Sequence, residues 1–157
     1  DIPVIWIDSG LNKPETYEFA EIAIEELRLN MVTYTPTVSA ARLEAVMGGI
    51  PSLNDHRHAE FTKQFKLDPF ERAIKAQKNK VWFTAVRREQ TAVRAKMDYV
   101  SEGPFGLVKA GPLLDWTLAD MEQYMEDFDL PNETEYFDPT KAGNNRECGL
   151  HTIAVGQ

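Results

Sequence analysis

The residues best suited to chemistry surround the single cysteine of the chain, Cys148, in the run RECGLH at residues 146–151. The thiolate is the nucleophilic form of cysteine, and cationic neighbours such as Arg146 and His151 favour it over the thiol. Gly149 lets the backbone turn tightly beside the sulfur. This pattern predicts nucleophilic or redox sulfur chemistry; a buried, inert cysteine is the alternative.

The charges of the chain are unevenly distributed. The net charge is −8, yet residues 72–96 hold eight basic residues and one acid, Glu89, whereas residues 115–138 hold nine acids and no base. An acidic protein with one concentrated basic stretch suits a small polyanion or a local partner and argues against long nucleic acid. Two solvent-exposed faces of opposite charge are the alternative.

Length and composition limit the class of protein. A chain of 157 residues that is 43% hydrophobic is long enough for one domain with a core. No apolar run of about eighteen residues and no secretory leader is evident, so we expect no membrane association. One cysteine fits a reducing compartment, and we expect a cytoplasmic protein.

The elements that must position the reactive residues alternate between strands and helices. The continuous apolar run at residues 3–8 predicts a strand buried on both faces. Further strands are predicted at residues 30–35, 80–86 and 105–109. Helices are predicted at residues 14–28, from a Ser39 cap to Gly48, at residues 68–77, and after a Thr117–Asp120 capping box. Residues 50–60 are expected to be a polar loop.

This order predicts an α/β protein with three layers, in which helices cover both faces of a mainly parallel sheet. Ligands of such folds bind at the carboxyl ends of the strands. That rule selects Asp8, Ser9 and Gly10 after the first strand and residues 87–90 after the third. We expect both groups to line one crevice.

Several motifs occur in the order found in phosphoadenosine phosphosulfate reductases, and the chain resembles that family over nearly its whole length. They are WIDSG and PETY within residues 6–17, KLDP at 66–69, WFTAVRREQ at 82–90 with Arg94, PLLDW at 112–116, and ECGLH at 147–151. The resemblance implies a fold like that of the adenine nucleotide alpha hydrolases. It also implies an enzyme of assimilatory sulfate reduction.

The resemblance further implies a mechanism and a set of site residues. The Cys148 thiolate would attack the sulfur of 3'-phosphoadenylyl sulfate, giving an S-sulfocysteine and adenosine 3',5'-bisphosphate. Thioredoxin or glutaredoxin would then release sulfite, and a homodimer is expected. Residues assigned by motif to the sulfonate, the phosphates or the nucleotide are His151, Arg146, Lys66, Arg87, Arg88, Arg94, Asp8, Ser9 and Gly10.

Cysteine usage separates two branches of the resembled family. The adenylylsulfate reductases carry additional cysteines for an iron–sulfur cluster, and no CxxC pair occurs in this chain. We therefore expect the cluster-free branch and no cofactor. A zinc site built from Cys148, His151, His56 and His58 is a weaker alternative, because the two histidines of the predicted polar loop are expected to face solvent.

Two domains are expected from the motif order. An α/β nucleotide-binding domain would cover residues 1–131, without the N-terminal strand and phosphate loop of the resembled family. A mobile C-terminal arm at residues 132–157 would carry Cys148. The rival functions are an adenylating ATP pyrophosphatase of the same fold, which would not need Cys148, and a noncatalytic adenine-nucleotide-binding domain.

Overall fold

The computed structural model describes residues 2–52 and 54–133. They belong to two compact units, which divide after Ala76; Glu133 belongs to the first unit. No helix in the described ranges is long and apolar enough to cross a membrane.

The first unit begins with a β-α-β arrangement. Strand β1 (Pro3–Ile7) and strand β2 (Asn30–Tyr34) are parallel and pair from Pro3↔Asn30 to Ile7↔Tyr34. Helix α1 (Pro14–Glu26) connects them and begins at a proline. Proline is favoured there because it has no backbone N–H, and the N–H groups of the first turn have no acceptor within the helix. Parallel strands need such a crossover, so the carboxyl ends of β1 and β2 lie at the same edge.

Four helical segments complete the first unit, and the first three of them form its core cluster. They are α2 (Ala40–Met47), α3 (His58–Thr62), a π-helical turn (Lys63–Leu67) and α4 (Asp68–Gln77). Leu43 of α2 packs with Phe61 and Phe65, whose stacked rings lie 5.0 Å apart. The Ser39 hydroxyl accepts a hydrogen bond from the Arg42 N–H at 3.2 Å, and left-handed Gly48 ends the helix, as the sequence predicts.

Two predictions for the first unit are wrong. Strand β1 is not buried on both faces: Val4 is 37% exposed and its neighbours are half-buried, since β1 pairs with β2 and with no other described strand. The predicted polar loop at residues 50–60 gives way to α3 at His58, and this histidine is buried. Its Nδ1 lies 2.8 Å from the Pro51 carbonyl oxygen and its Nε2 lies 3.3 Å from Thr62 Oγ1. Only His56 of the pair is exposed.

The second unit is a three-stranded sheet followed by a helix. Strands β3 (Val81–Phe83), β4 (Val100–Glu102) and β5 (Val108–Ala110) adopt the order β3-β5-β4, with β3 parallel and β4 antiparallel to β5. Helix α5 (Leu118–Asp127) begins at the predicted capping box, in which Thr117 and Asp120 exchange hydrogen bonds of 3.1 and 2.8 Å. These bonds lower the pKa of Asp120, because the carboxylate accepts from the Thr117 N–H and hydroxyl.

The strand boundaries of the second unit differ from prediction. The third predicted strand is shorter, and the fourth begins at Val108 because residues 104–106 form a 3₁₀ turn with Phe105 at φ 59° and Gly106 at φ 75°. Strand β4 is an element that the sequence pattern did not indicate. Among the described strands, two of the three pairings are parallel.

Candidate active site

A tight turn follows β1, at the position the strand-end rule selects. Asp8 Oδ1 accepts hydrogen bonds from the Gly10 N–H and the Tyr17 hydroxyl, both at 2.8 Å, and Asn12 Nδ2 lies 3.5 Å away. Gly10 has φ 73°, a left-handed conformation that favours glycine. The Asp8 carboxylate therefore fixes the backbone of the turn.

Tyr17 supports this turn from helix α1. Burial, followed by the hydrogen bond to Asp8 and the charge of that carboxylate, raises the pKa of the Tyr17 hydroxyl. The Tyr17 ring also lies 5.8 Å from the ring of Trp6 on β1, centroid to centroid. Tyr17 thus remains a protonated donor to Asp8 well above neutral pH.

A cavity of about 510 Å³ opens where β1 and β2 end. Its lining comprises the Asp8–Gly10 turn, residues 35–38 after β2, and the first turn of α2 at residues 39–41. Hydroxyl-bearing residues and the N-terminal end of a helix form much of this wall, which suits a polar or anionic group of small-molecule size. The predicted site omitted residues 35–41, although the strand-end rule applies to β2 as well as to β1.

The second unit holds the predicted arginines around one turn, residues 87–90, which we call the arginine turn. The Arg87 N–H donates to Gln90 Oε1 at 3.0 Å, and the Arg88 N–H donates to the Leu114 carbonyl at 2.8 Å. The Arg87 side chain is 11% exposed, and its Nε lies 3.2 Å from Glu89 Oε1. Glu89 therefore orients the Arg87 guanidinium.

Arg88 and Arg94 are also held by fixed partners. Arg88 forms an ion pair with Asp115 and donates from Nη2 to the Met97 carbonyl at 2.9 Å. Arg94 is 8% exposed and donates from Nη1 to Gln90 Oε1. The same glutamine thus accepts from the Arg87 backbone and the Arg94 side chain, while Arg88, on the same turn, is held by its own partners. We call these three arginines and their partners the arginine network.

Other predicted site residues lie elsewhere. Lys66 is half-buried in the π-helical turn of the first unit. Arg146, Cys148 and His151 lie outside the described residues. Within residues 2–52 and 54–133, no group of three or more His, Cys, Asp or Glu side chains is arranged to hold a metal ion.

Comparison with known proteins decides the family. The family model of the phosphoadenosine phosphosulfate reductase domain matches residues 1–138. The chain belongs to this reductase family. A phosphoadenosine 5'-phosphosulfate reductase of Xanthomonas euvesicatoria pv. vesicatoria is 34% identical over 173 aligned positions, covering 96% of this chain and 71% of the relative. A reductase of the same name from Synechococcus sp. is 38% identical over 134 positions, covering 83% of this chain and 56% of the relative.

A solved structure shows the fold of the reductase family for this chain. The crystal structure of the phosphoadenylyl-sulfate reductase of Candida auris, a phosphate complex, matches with a TM-score of 0.69 and 21% identity. The match covers 83% of this chain and 62% of the solved chain, so the present chain spans less than two thirds of that protein. The predicted family and the predicted α/β class are confirmed. The expectation that the Asp8 turn and the arginine turn line one crevice stays a prediction.

Proposed function

We propose that this chain reduces 3'-phosphoadenylyl sulfate to sulfite and adenosine 3',5'-bisphosphate, as an enzyme of assimilatory sulfate reduction. The observation that carries the proposal is the arginine network, in which Arg87, Arg88 and Arg94 are held around one turn by Glu89, Asp115 and Gln90. The reductase names of the matched relatives support it independently.

The arginine network suits the electrostatics of this reaction. Substrate and attacking thiolate are both anionic, so the site must supply cations that are already in place before they meet. Guanidinium groups bind phosphate and sulfate oxygens through paired N–H donors. Because Glu89 and Gln90 already hold the Arg87 and Arg94 side chains, these cations are fixed in place before an anion binds.

The proposed reaction has two balanced steps. The Cys148 thiolate attacks the sulfur of the phosphosulfate, a sulfur–sulfur bond forms, and the sulfur–oxygen bond to the bisphosphate breaks with its electron pair leaving on oxygen. One thiolate of a dithiol donor, thioredoxin or glutaredoxin, then attacks Sγ of Cys148, so that sulfite departs with the electrons of the sulfur–sulfur bond and a mixed disulfide forms. The second thiol of the donor attacks the donor sulfur of this mixed disulfide. The donor becomes oxidised to its disulfide and Cys148 returns to the thiolate.

The remaining site residues are assigned roles by motif. Arg146 and His151 would bind or polarise the sulfonate, and Lys66 would contact the phosphosulfate. The Asp8, Ser9 and Gly10 turn would approach the nucleotide, and the cavity beside it has a suitable size for part of such a ligand.

Further parts of the proposal follow from the family resemblance. They are the cluster-free reaction without a bound cofactor, a homodimer, a cytoplasmic location, and a cysteine-bearing arm at residues 132–157 that follows a nucleotide-binding domain. The absence of any CxxC pair supports the cluster-free reaction.

Intact mass spectrometry tests the chemistry directly. Mixing the chain with 3'-phosphoadenylyl sulfate, without a thiol donor, should add one sulfonate of about 80 Da to Cys148, and later addition of thioredoxin should remove it as sulfite. Cys148→Ser should bind adenosine 3',5'-bisphosphate as the wild type does but acquire no added mass. Full sulfite release by Cys148→Ser would contradict the mechanism. Bisphosphate binding by the wild type without an adduct or sulfite would instead indicate the noncatalytic binding domain.

A further inference from the structure

Arg88 is held by a cluster that the predicted site did not include. Its Nη1 pairs with Asp115 Oδ1, and the Tyr99 hydroxyl donates to the other oxygen of the same carboxylate. The Arg88 guanidinium carbon lies 5.0 Å from the Tyr99 ring centroid, within range of a cation–π contact. Asp115, Tyr99 and Arg88 therefore form a closed triangle, which we call the Arg88 clamp.

The clamp is anchored to rigid parts of the second unit. Leu114, which precedes Asp115, is 1% exposed, and its carbonyl accepts the Arg88 N–H at 2.8 Å. The Tyr99 carbonyl accepts the Gly111 N–H at 2.8 Å, at the end of strand β5. Side chain and backbone of Arg88 are thus bound to the same segment, and a movement of the arginine turn would have to break both.

Both terminal nitrogens of Arg88 are engaged in this arrangement. Nη1 is directed to Asp115 and Nη2 donates to the Met97 carbonyl at 2.9 Å. A guanidinium used in this way fixes the backbone between Arg87 and Gln90, and it offers an anion only the N–H groups that these two bonds leave.

We propose that Asp115 and Tyr99 are positioning residues, which act through Arg88 to hold the arginine turn in the conformation that binds the phosphosulfate or the 3'-phosphate. This inference rests on the proposed function, because it assumes that the arginine turn binds the substrate. It assigns Arg88 chiefly to the support of the turn that carries Arg87.

A double-mutant cycle, in which the dissociation constant of a nucleotide is measured for each variant, tests the clamp. Adenosine 3',5'-bisphosphate is titrated calorimetrically into the full chain as wild type, Asp115→Asn, Arg88→Ala and the double variant. Asp115→Asn should raise Kd about fivefold. This is the upper limit expected for the loss of a solvent-exposed ion pair, and the Asp115 side chain is 58% exposed. The double variant should bind no more weakly than Arg88→Ala, because both changes break the same clamp.

Two more variants separate positioning from a general effect on folding or charge. Tyr99→Phe keeps the ring beside Arg88 but removes the hydrogen bond to Asp115, so its Kd should rise less than that of Asp115→Asn. Glu122→Gln removes an exposed acid of α5 outside the clamp and should bind as the wild type does. In turnover with 3'-phosphoadenylyl sulfate, Asp115→Asn should raise KM with little change in kcat.

The outcomes distinguish this inference from the proposal on which it rests. If the wild type binds neither nucleotide, both proposals are overturned. If the wild type binds and turns over while Asp115→Asn has an unchanged Kd and KM, only the clamp is overturned. If the losses of affinity in the double variant are additive, Arg88 binds the anion independently of Asp115. If Asp115→Asn lowers kcat alone, Asp115 acts at the reacting atoms. Either result would also overturn the positioning role.

Discussion

Replacing Leu43 by alanine should destabilise the part of the first unit that borders the cavity. Leu43 is 2% exposed and packs against Phe61 and Phe65, which are fully buried. Truncation of a buried leucine removes its transfer free energy and leaves a cavity, at a cost that ranges from about 2.7 to 5 kcal/mol. Partly buried Val38 and Met47 line the same cluster and are able to relax into the space. We therefore expect the lower part of the range, about 3 kcal/mol.

Urea denaturation followed by circular dichroism measures this loss. Leu43→Ala should shift the transition to lower urea with little change in its steepness, because the surface exposed on unfolding hardly changes. Val46→Ala is the matched control: it lies on the same helix, is 68% exposed, and should change the free energy of unfolding by no more than about 0.5 kcal/mol. Equal effects of the two substitutions would refute the packing of α2 on the two phenylalanines.

The same two variants test whether packing of the core affects ligand binding in the cavity. The first turn of α2 forms part of the cavity wall, and Leu43 is the buried residue that anchors this helix. Leu43→Ala should therefore also weaken binding of adenosine 3',5'-bisphosphate at temperatures where the protein is still folded, whereas Val46→Ala should not. Unchanged affinity in a clearly destabilised Leu43→Ala protein would show that α2 does not contribute to the ligand site.

Two further predictions concern hydrogen bonds to carboxylates. Tyr17→Phe removes the hydroxyl that donates to Asp8 and should lower the free energy of unfolding by about 1 kcal/mol near neutral pH; Tyr124→Phe is the control. Because the pKa of Tyr17 is raised, the stability advantage of the wild type is present below pH 10 and should disappear as the pH rises through the raised pKa. Alkaline denaturation curves measure this change. A constant difference up to the highest pH would contradict the assignment. Thr117→Ala removes the hydroxyl that accepts from the Asp120 N–H and donates to its carboxylate, and it should cost about 1 kcal/mol at neutral pH. The pKa of Asp120 is lowered by the Thr117 N–H, which the substitution keeps, and by the hydroxyl, so only the hydroxyl's share of the difference should shrink as the pH falls through the lowered pKa. Equal stability of the two proteins at neutral pH would contradict the cap.

Local chemistry made several elements predictable from sequence. Proline at the first position of α1, serine before α2, glycine after it, and the Thr117–Asp120 box each act within a few residues of the chain. Such signals depend on backbone hydrogen bonds that the sequence itself supplies. The starts of these helices were accordingly predicted almost to the residue.

Contacts between distant residues explain the errors. His58 resembles an exposed loop residue in sequence, but the Pro51 carbonyl and the Thr62 hydroxyl satisfy both ring nitrogens, which makes its burial possible. Strand β4 is only three residues long and is defined by pairing with β5 from Val100↔Ala110 to Glu102↔Val108. A segment so short carries little periodicity of its own, so its partner determines the strand.

The candidate site shows the same division between local and distant information. The Asp8 turn was found because a strand end and a glycine mark it locally. The partners of Arg88 were not predicted, because Asp115 and Tyr99 are 16 residues apart in the chain and meet only through the fold. A motif search selects the residues of a site but not the contacts that hold them.

The basic stretch at residues 72–96 illustrates why those contacts matter for function. In the sequence this stretch is one block that holds eight basic residues, but in the structure it spans both units. Lys75 pairs with Glu71 on α4 of the first unit, and Arg87 pairs with Glu89 in the second. Pairing lowers the net charge around the arginine turn without removing its N–H donors. Recognition of a polyanion by this turn would therefore depend on the geometry of a few fixed guanidinium groups, since the partners already compensate much of the charge that the sequence displays.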